Sequence, residues 1–207
     1  MIPTFEILGH SSIKLIGSKT LYIDPFNIVG EPKDADYVFC THPHYDHFSP
    51  EDIKKVSKER TLLIVPETAI EEAESVVNDD LIRLVEPGHH YQLGEIIVET
   101  TYAYNLEKSY HKKEKKWVGY LIYIDGLNCY IAGDTDNIPE IQDIKCDVAF
   151  LPIGGTFTMN VEEAAELANK ITAETIIPVH YGSIVGKKEY GERFAELVTN
   201  KKVKLMI

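Results

Sequence analysis

The chain has 207 residues and a formal net charge of −12, with 44% hydrophobic and 26% charged residues. This composition is ordinary for a globular protein and excludes a disordered or fibrous chain. The acidic balance disfavours non-specific binding to nucleic acid, and no stretch approaches the roughly 20 apolar residues that span a bilayer. Because residues 1–20 lack a signal-peptide pattern and the three cysteines form no CxxC pair, we expect a cytoplasmic protein.

Short apolar runs rich in Val, Ile and Tyr alternate with amphipathic stretches along the chain. The predicted strands cover residues 5–8, 13–16, 21–23, 37–40, 62–65, 81–85, 96–100, 118–124, 129–132, 148–151, 176–179 and 203–206. Asp125-Gly126 separates two of these runs and predicts a hairpin turn.

Four amphipathic segments predict helices. One begins after Ser49, which is followed by Pro50 and two acidic residues, and the others cover 66–77, 160–170 and 188–199. Strands dominate the first 40 residues and the region 96–132, while strands and helices alternate in the last third. We therefore predict two sheets stacked face to face with helices outside, in a single domain spanning 1–207.

The segment with the clearest chemistry is the loop between the strand at 37–40 and the helix after Ser49. It carries His42, His44, Asp46 and His47, whose imidazole and carboxylate groups suit zinc and similar ions. Four donors within six positions do not easily reach one tetrahedral metal, so two neighbouring metals are the simpler geometry. The alternative is a polar surface loop with a local excess of histidine.

Two further donors follow the ends of predicted strands. Asp134 comes after the strand at 129–132, and His180 comes after the strand at 176–179. Each alone is compatible with a turn residue or a structural histidine. Together with the 42–47 loop, both become candidate metal ligands, because strand ends hold side chains rigidly.

These segments resemble the metallo-β-lactamase superfamily. The family loop His-x-His-x-Asp-His is matched at 42–47, the bridging carboxylate at Asp134 and the last histidine at His180. The finer resemblance is to the branch of ascorbate-6-phosphate lactonase-like proteins and other metal-dependent hydrolases, through the segments 9–12, 23–26, 133–136 and 151–159. The resemblance implies a four-layer αββα sandwich of the α/β class, with the site at one edge of the paired sheets.

The sequence departs from the family at one position. The third histidine of the first metal falls at Asn105, whose amide oxygen is a poor zinc ligand, and His111 is the nearest substitute. The first site is therefore expected to be complete through another group, partly occupied, or suited to Mn²⁺. The second metal keeps the full set of ligands that the resemblance implies: Asp46, His47, Asp134 and His180.

Three secondary features are open to two interpretations each. His10 lies near the mouth of the site, as the resemblance implies, or in a plain turn. Thr156 follows paired glycines that either let backbone amides approach a substrate anion or form a structural turn. The basic run 112–116 is either a mobile lid that attracts an anionic substrate or a solvated hairpin tip.

The predicted function is a hydrolase that uses two zinc ions and a metal-activated water on a small-molecule ester, lactone or phosphoester, with Asp46 as the catalytic residue. The alternatives are a catalytically degenerate metal-binding or regulatory module, which Asn105 favours, and a phosphodiesterase or nuclease. The predicted partner is a small molecule, and no nucleic acid is expected. The charge of that molecule and the formation of a homo-oligomer remain open.

Overall fold

A computed structural model describes residues 3–207 and places the strands of that range in two sheets. Within that range the first sheet contains six strands in chain order. They are β1 (Thr4–Gly9), β2 (Ser12–Ile16), β3 (Thr20–Ile23), β4 (Ala35–Phe39), β5 (Ser57–Pro66) and β6 (Ile82–Val85). The first three strands pair antiparallel, and the pairs from β3 to β6 are parallel.

The second sheet has the order β13-β12-β11-β10-β9-β8-β7. Its strands are β7 (His90–Leu93), β8 (Ile96–Tyr102), β9 (Val118–Ile124), β10 (Leu127–Ile131), β11 (Val148–Pro152), β12 (Thr175–Val179) and β13 (Lys202–Val203). The pairs from β10 to β13 are parallel and the others antiparallel. Asp125 and Gly126, both with positive φ, form the predicted hairpin between β9 and β10.

Two of the four helices in the described residues begin at side-chain caps that the sequence specifies. The four helices are α1 (Pro50–Val56), α2 (Ile70–Glu74), α3 (Val161–Lys170) and α4 (Glu189–Leu197). The Ser49 side chain accepts a hydrogen bond from the Asp52 amide at the start of α1. Asn160 and Glu163 form a capping box at the start of α3. No helix within residues 3–207 is long and apolar enough to cross a membrane.

Three apolar clusters define four layers. The central cluster lies between the sheets and contains Phe39 from the first sheet and Phe150 from the second. A second cluster packs α3 and α4 on the outer face of the second sheet through Leu167 and Phe194. A third packs α1 on the outer face of the first sheet through Ile53. The fold is thus the predicted αββα sandwich.

Several element boundaries differ from the prediction because they depend on pairing rather than on local apolar runs. Strand β7 alternates exposed and partly buried residues, so it lacks the apolar run that predicts a strand. The predicted helix 66–77 is a 3₁₀ turn followed by only five α-helical residues, Ile70–Glu74. Of the predicted strand 203–206, only Val203 pairs, together with Lys202.

Parallel pairing brings the carboxyl ends of the central strands to the same edge of each sheet. In the first sheet, Asp24 follows β3 and the 42–47 loop follows β4. In the second sheet, Asp134 follows β10, Gly154 follows β11 and His180 follows β12. The candidate ligands therefore come from strand ends of both sheets.

Candidate metal centre

The first group of ligand-type atoms consists of His42, His44 and His111, whose ring nitrogens lie within 4.8 Å of one another. His42 Nε2 lies 3.0 Å from His44 Nδ1. The His111 ring centroid is 5.1 Å from that of His42 and 5.0 Å from that of His44. The loop between β8 and β9 thus brings a third imidazole to the first two.

The second group surrounds Asp46. The Nε2 atoms of His47 and His180 each lie 3.7 Å from Asp46 Oδ2. His10 Nε2 lies 3.1 Å from the same oxygen. Donor atoms of these four residues all fall within 4.8 Å of one another.

Asp134 lies between the two groups. Its Oδ2 is 3.2 Å from His111 Nε2 and 3.2 Å from His180 Nε2, and its Oδ1 is 3.3 Å from His47 Nε2. His42 Nε2 is farther away, at 3.9 Å from Oδ2. One carboxylate therefore contacts histidines of both groups.

Four of these converging atoms are buried and make no hydrogen bond within residues 3–207: Nε2 of His47, His111 and His180, and Oδ1 of Asp134. A buried polar atom without a partner costs about 1–3 kcal/mol. Facing imidazole nitrogens and carboxylate oxygens are the donor set that zinc and similar divalent cations prefer. The residues therefore fit a metal centre.

The electrostatics of the site reflect its burial and its mixed charges. Burial lowers the pKa of His42 well below its usual range, so this ring is neutral and can offer a lone pair. Burial also lowers the pKa of His47, but the charges of Asp134 and Asp24 outweigh it and raise that pKa well above the usual value. Burial raises the pKa of Asp134, yet His180 and His47 outweigh it and hold the carboxyl ionised.

Asp24 orients His47 and was not among the predicted site residues. Its Oδ2 lies 2.7 Å from His47 Nδ1, and it also accepts hydrogen bonds from the amide and hydroxyl of Thr41 at 2.7 and 2.8 Å. Because both Asp24 oxygens already accept hydrogen bonds from Thr41, His47 Nδ1 acts as the donor to Asp24 and its Nε2 is left for another partner. The available signal was its position directly after a strand, as for Asp134 and His180.

Asn105 lies outside both groups of ligand-type atoms and contacts His111 instead. The Asn105 Oδ1 atom is 3.0 Å from His111 Nδ1 and accepts a hydrogen bond from the His111 amide at 3.1 Å. The backbone N–H of Asn105 in turn donates to the His111 carbonyl at 2.7 Å, so the loop folds back on itself. Of the two alternatives for the third ligand position, His111 reaches the cluster. Asn105 lies behind His111 and contacts its ring.

His10 lies within the site, as expected, rather than in a turn remote from it. Its backbone has φ of 51° and its carbonyl accepts a hydrogen bond from the His180 amide at 3.1 Å. Its ring is 4.0 Å from that of His180, between centroids. His10 therefore contacts both Asp46 and His180.

Thr156 does not line the site. It is exposed at the tip of a turn that the Gly155 amide closes by donating to the Met159 carbonyl, and the next residue, Phe157, reaches the cleft instead. The preceding Gly154 has a packing role, because a Cβ there would collide with the carbonyl of His180 and lie 3.1 Å from its Nδ1.

The basic run 112–116 does not line the site cleft either. Lys113 pairs with Glu140 and Lys116 with Glu86, both at 2.6 Å, and a 3₁₀ turn spans Lys113–Lys115. Two of the four lysines are thus paired with neighbouring glutamates, and the run is exposed outside the cleft, which favours the hairpin-tip interpretation over a lid.

A cleft of about 390 Å³ opens over the cluster. Its floor contains five of the candidate metal residues, and its walls are apolar or aromatic. The lining residues are His44, Tyr45, Asp46, Tyr110, His111, Asp134, Phe157, His180 and Ile184.

The sequence profile of the beta-lactamase superfamily domain matches residues 4–180 of this chain. The chain therefore belongs to the beta-lactamase superfamily, as the motifs predicted.

Relatives of the chain agree with the predicted class of enzyme. A UPF0173 metal-dependent hydrolase from Pyrococcus abyssi is 29% identical, over 95% of this chain and 92% of its own. One from Methanoculleus marisnigri is 30% identical, over 92% of this chain and 86% of its own. These names specify a metal-dependent hydrolase and no substrate, so the lactonase-like branch stays a prediction.

Solved structures also share the fold. A candidate metal-dependent hydrolase from Parabacteroides distasonis superposes with a TM-score of 0.82 at 28% identity, covering 98% of this chain and 92% of its own. A metallo hydrolase from Ignicoccus hospitalis gives a TM-score of 0.77 at 22% identity, over 99% and 94% of the two chains. The second, at lower identity, supports the fold alone.

Proposed function

We propose that this protein uses two divalent cations, zinc ions in the first instance, to hydrolyse a small-molecule ester, lactone or phosphoester. One cation would be held by three histidines and the other by a mixed set, with Asp134 between them. The first set is His42, His44 and His111, and the second is Asp46, His47 and His180.

The observation that carries this proposal is the convergence of unpartnered buried donors around Asp134. His111 Nε2 and His180 Nε2 approach the same carboxylate oxygen at 3.2 Å without hydrogen-bonding geometry. Cations between these atoms would satisfy all of them at once. A purely structural histidine cluster would instead pair its ring nitrogens with carbonyl or hydroxyl groups.

Divalent cations bound here would supply Lewis acidity and lower the pKa of water enough for hydrolysis near neutral pH. The protein groups supply orientation. Asp46 lines the cleft and has one carboxylate oxygen fixed by His10, at 3.1 Å, so the carboxylate is held ready to accept a hydrogen bond from the attacking water. Asp24 and Asn105 fix the tautomers of His47 and His111.

A non-catalytic binding module is the second candidate function, and Asn105 was the feature that favoured it. His111 supplies the ring nitrogen that Asn105 lacks, which removes that argument.

The test combines metal analysis with turnover. Protein freed of metal by a chelator and reloaded with zinc or manganese is assayed on p-nitrophenyl esters, lactones and p-nitrophenyl phosphodiesters. We expect turnover with metal only, and a loss of at least about 100-fold in kcat/KM for Asp134→Asn and Asp46→Asn.

Asp143→Asn is the matched control, because Asp143 is exposed, belongs to neither group of ligand-type atoms and does not line the cleft. Wild-type turnover in both site variants would contradict the proposal. Stoichiometric metal with no turnover on any substrate would support the binding module instead.

A further inference from the structure

The walls of the cleft are formed by four apolar side chains from four different loops. Tyr45 follows β4, Tyr110 precedes β9, Phe157 follows β11 and Ile184 follows β12. Tyr45, Tyr110 and Ile184 are 66%, 50% and 43% exposed, which is unusual for side chains of this size. Grouped exposed apolar side chains beside a polar floor are typical of a ligand-binding surface.

The three aromatic wall residues, Tyr45, Tyr110 and Phe157, are held by contacts between rings. The rings of Tyr110 and Phe157 meet edge to face at 4.8 Å and 86°. Tyr45 meets Phe26 in the same manner, at 5.9 Å and 74°. Edge-to-face pairs hold rings in defined positions, so the apolar walls are formed before any ligand arrives.

The walls offer no cation to a charged substituent. Among residues 3–207, no lysine or arginine lines this cleft. Lys108 is engaged by Asp136 at 2.6 Å, and Lys113 by Glu140 at the same distance. A carboxylate or phosphate placed between the walls would lose water without gaining an ionic partner, and the net charge of −12 adds general repulsion.

We infer that the substrate carries an uncharged alkyl or aryl group beside its scissile bond, and that the cleft rejects substrates with a second anionic group. This inference rests on the proposed function for the position of the scissile bond over the Asp134 cluster. It narrows the substrate to neutral esters or lactones with an apolar substituent, and disfavours sugar-phosphate-like molecules that carry a remote phosphate.

The test measures binding, so that it does not depend on turnover. Two hydroxamic acids of equal chain length are titrated calorimetrically into the zinc-loaded protein: hexanohydroxamic acid and adipic monohydroxamic acid. Both present the same metal-binding group, but the second ends in a carboxylate. We expect the first to bind at least tenfold more tightly. Equal binding, tighter binding of the charged compound, or binding of neither would overturn the inference.

Three variants test whether the cleft wall distinguishes the two hydroxamic acids. Ile184→Lys adds a cation to the wall and should raise the affinity for the charged compound at least fivefold. Ile97→Lys is a matched control, because Ile97 is also 43% exposed but lies on β8 and lines a different cleft. An equal effect of both variants would contradict a role for the wall. Phe157→Ala should weaken the neutral compound roughly tenfold and leave acetohydroxamic acid, which lacks the chain, nearly unchanged.

Turnover then separates this inference from the proposed function. We expect p-nitrophenyl butyrate to exceed p-nitrophenyl hemisuccinate at least tenfold in kcat/KM. A hydroxamate preference without hydrolysis of any ester would contradict the hydrolase and leave the apolar cleft supported. Hydrolysis that favours the hemisuccinate would contradict the apolar cleft and leave the hydrolase supported.

Discussion

At the scale of single residues, the site consists of ligand-type histidines fixed by partners behind them. Asp24 holds His47, Asn105 holds His111, and the Thr41 hydroxyl lies 3.0 Å from His42 Nδ1. Each partner contacts Nδ1 and leaves Nε2 directed into the cluster, where His42 Nε2 lies 3.0 Å from His44 Nδ1. A proton on Nδ1 is the tautomer that a cation at Nε2 needs.

The contact between Asn105 and His111 can be tested by mutation. Asn105→Ala removes the acceptor for the His111 ring and amide, so His111 should lose its fixed orientation. We expect the zinc affinity of the first site to fall about 10- to 100-fold, while the second site changes little. Competition with a chromophoric chelator measures both affinities. Asn128→Ala, at a position outside the cluster, is the control, and two unchanged zinc affinities in Asn105→Ala would refute the positioning role.

Among the described residues, His180 Nδ1 has no hydrogen-bond partner, and His180 is positioned through its backbone instead. His180 has φ of 58°, and Gly154 approaches it so closely that no Cβ fits at position 154.

Gly154→Ala should displace His180, cost about 1–3 kcal/mol of unfolding free energy and weaken the second metal site. Urea unfolding and zinc titration check this. Retention of full zinc affinity together with wild-type stability would contradict the packing argument.

The residue types of the site were more predictable than their exact partners. The pattern in 42–47 and the donors after strand ends predicted the residues that the structure brings together. The choice between Asn105 and His111 depended on the fold-back of a loop, which has no local sequence signal. Asp24 was missed because a single aspartate after a strand is equally typical of a turn.

At the scale of elements, the loop between β3 and β4 is tied to helix α1 by one buried carboxylate. Asp52 accepts hydrogen bonds from the amides of Asn27 and Ile28, at 2.8 and 3.0 Å, and from Lys55 at 3.0 Å. Burial raises its pKa, but Lys55, Ser49 and the two amides outweigh this and lower the pKa below its ordinary value of 3.8.

This carboxylate gives a prediction about pH. Because the folded pKa lies below the unfolded one, the stabilisation is complete above the ordinary pKa of 3.8 and is lost as the pH falls through the lower folded value. Asp52→Asn should cost about 1–3 kcal/mol at pH 7 and flatten the decline in unfolding free energy below pH 3.8. Chemical unfolding at several pH values measures this, with Asp143→Asn as control. A decline as steep as that of wild type would show that Asp52 is not its source.

Elements with strong local signals were predicted, and those that depend on partners were not. The buried strands β3, β4, β10, β11 and β12 follow apolar runs, and the caps at Ser49 and Asn160 mark their helices. Strand β7 exists because β8 offers it a pairing edge, and its own sequence alternates in polarity. The end of α2 was also not predicted. The helical spacing of apolar residues continues to Val77, but the helix ends at Glu74.

At the scale of the whole molecule, the candidate metal centre takes its ligand-type residues from both sheets. The first sheet supplies Asp24 and the 42–47 loop, and the second supplies His111, Asp134 and His180. A cation bound by both would resist their separation. The αββα layering followed from the order of predicted strands and helices, whereas the meeting of both edges at Asp134 required the tertiary structure.

Metal removal should therefore lower the melting temperature. At a free zinc concentration a thousandfold above Kd, binding adds about 4 kcal/mol. For a chain of this size that corresponds to a shift of roughly 10 °C. Differential scanning calorimetry with zinc and with chelator measures the shift. Asp134→Ala should show a much smaller one, and an equal shift in that variant would place the stabilising metal elsewhere.

We propose that two cations occupy the cluster around Asp134. X-ray diffraction of zinc-loaded crystals, with data on both sides of the zinc absorption edge, tests it directly. We expect two anomalous peaks, one among His42, His44 and His111 and one among Asp46, His47 and His180, with the Asp134 carboxylate between them. A cluster without any peak, or zinc bound only at sites remote from Asp134, would contradict the proposal.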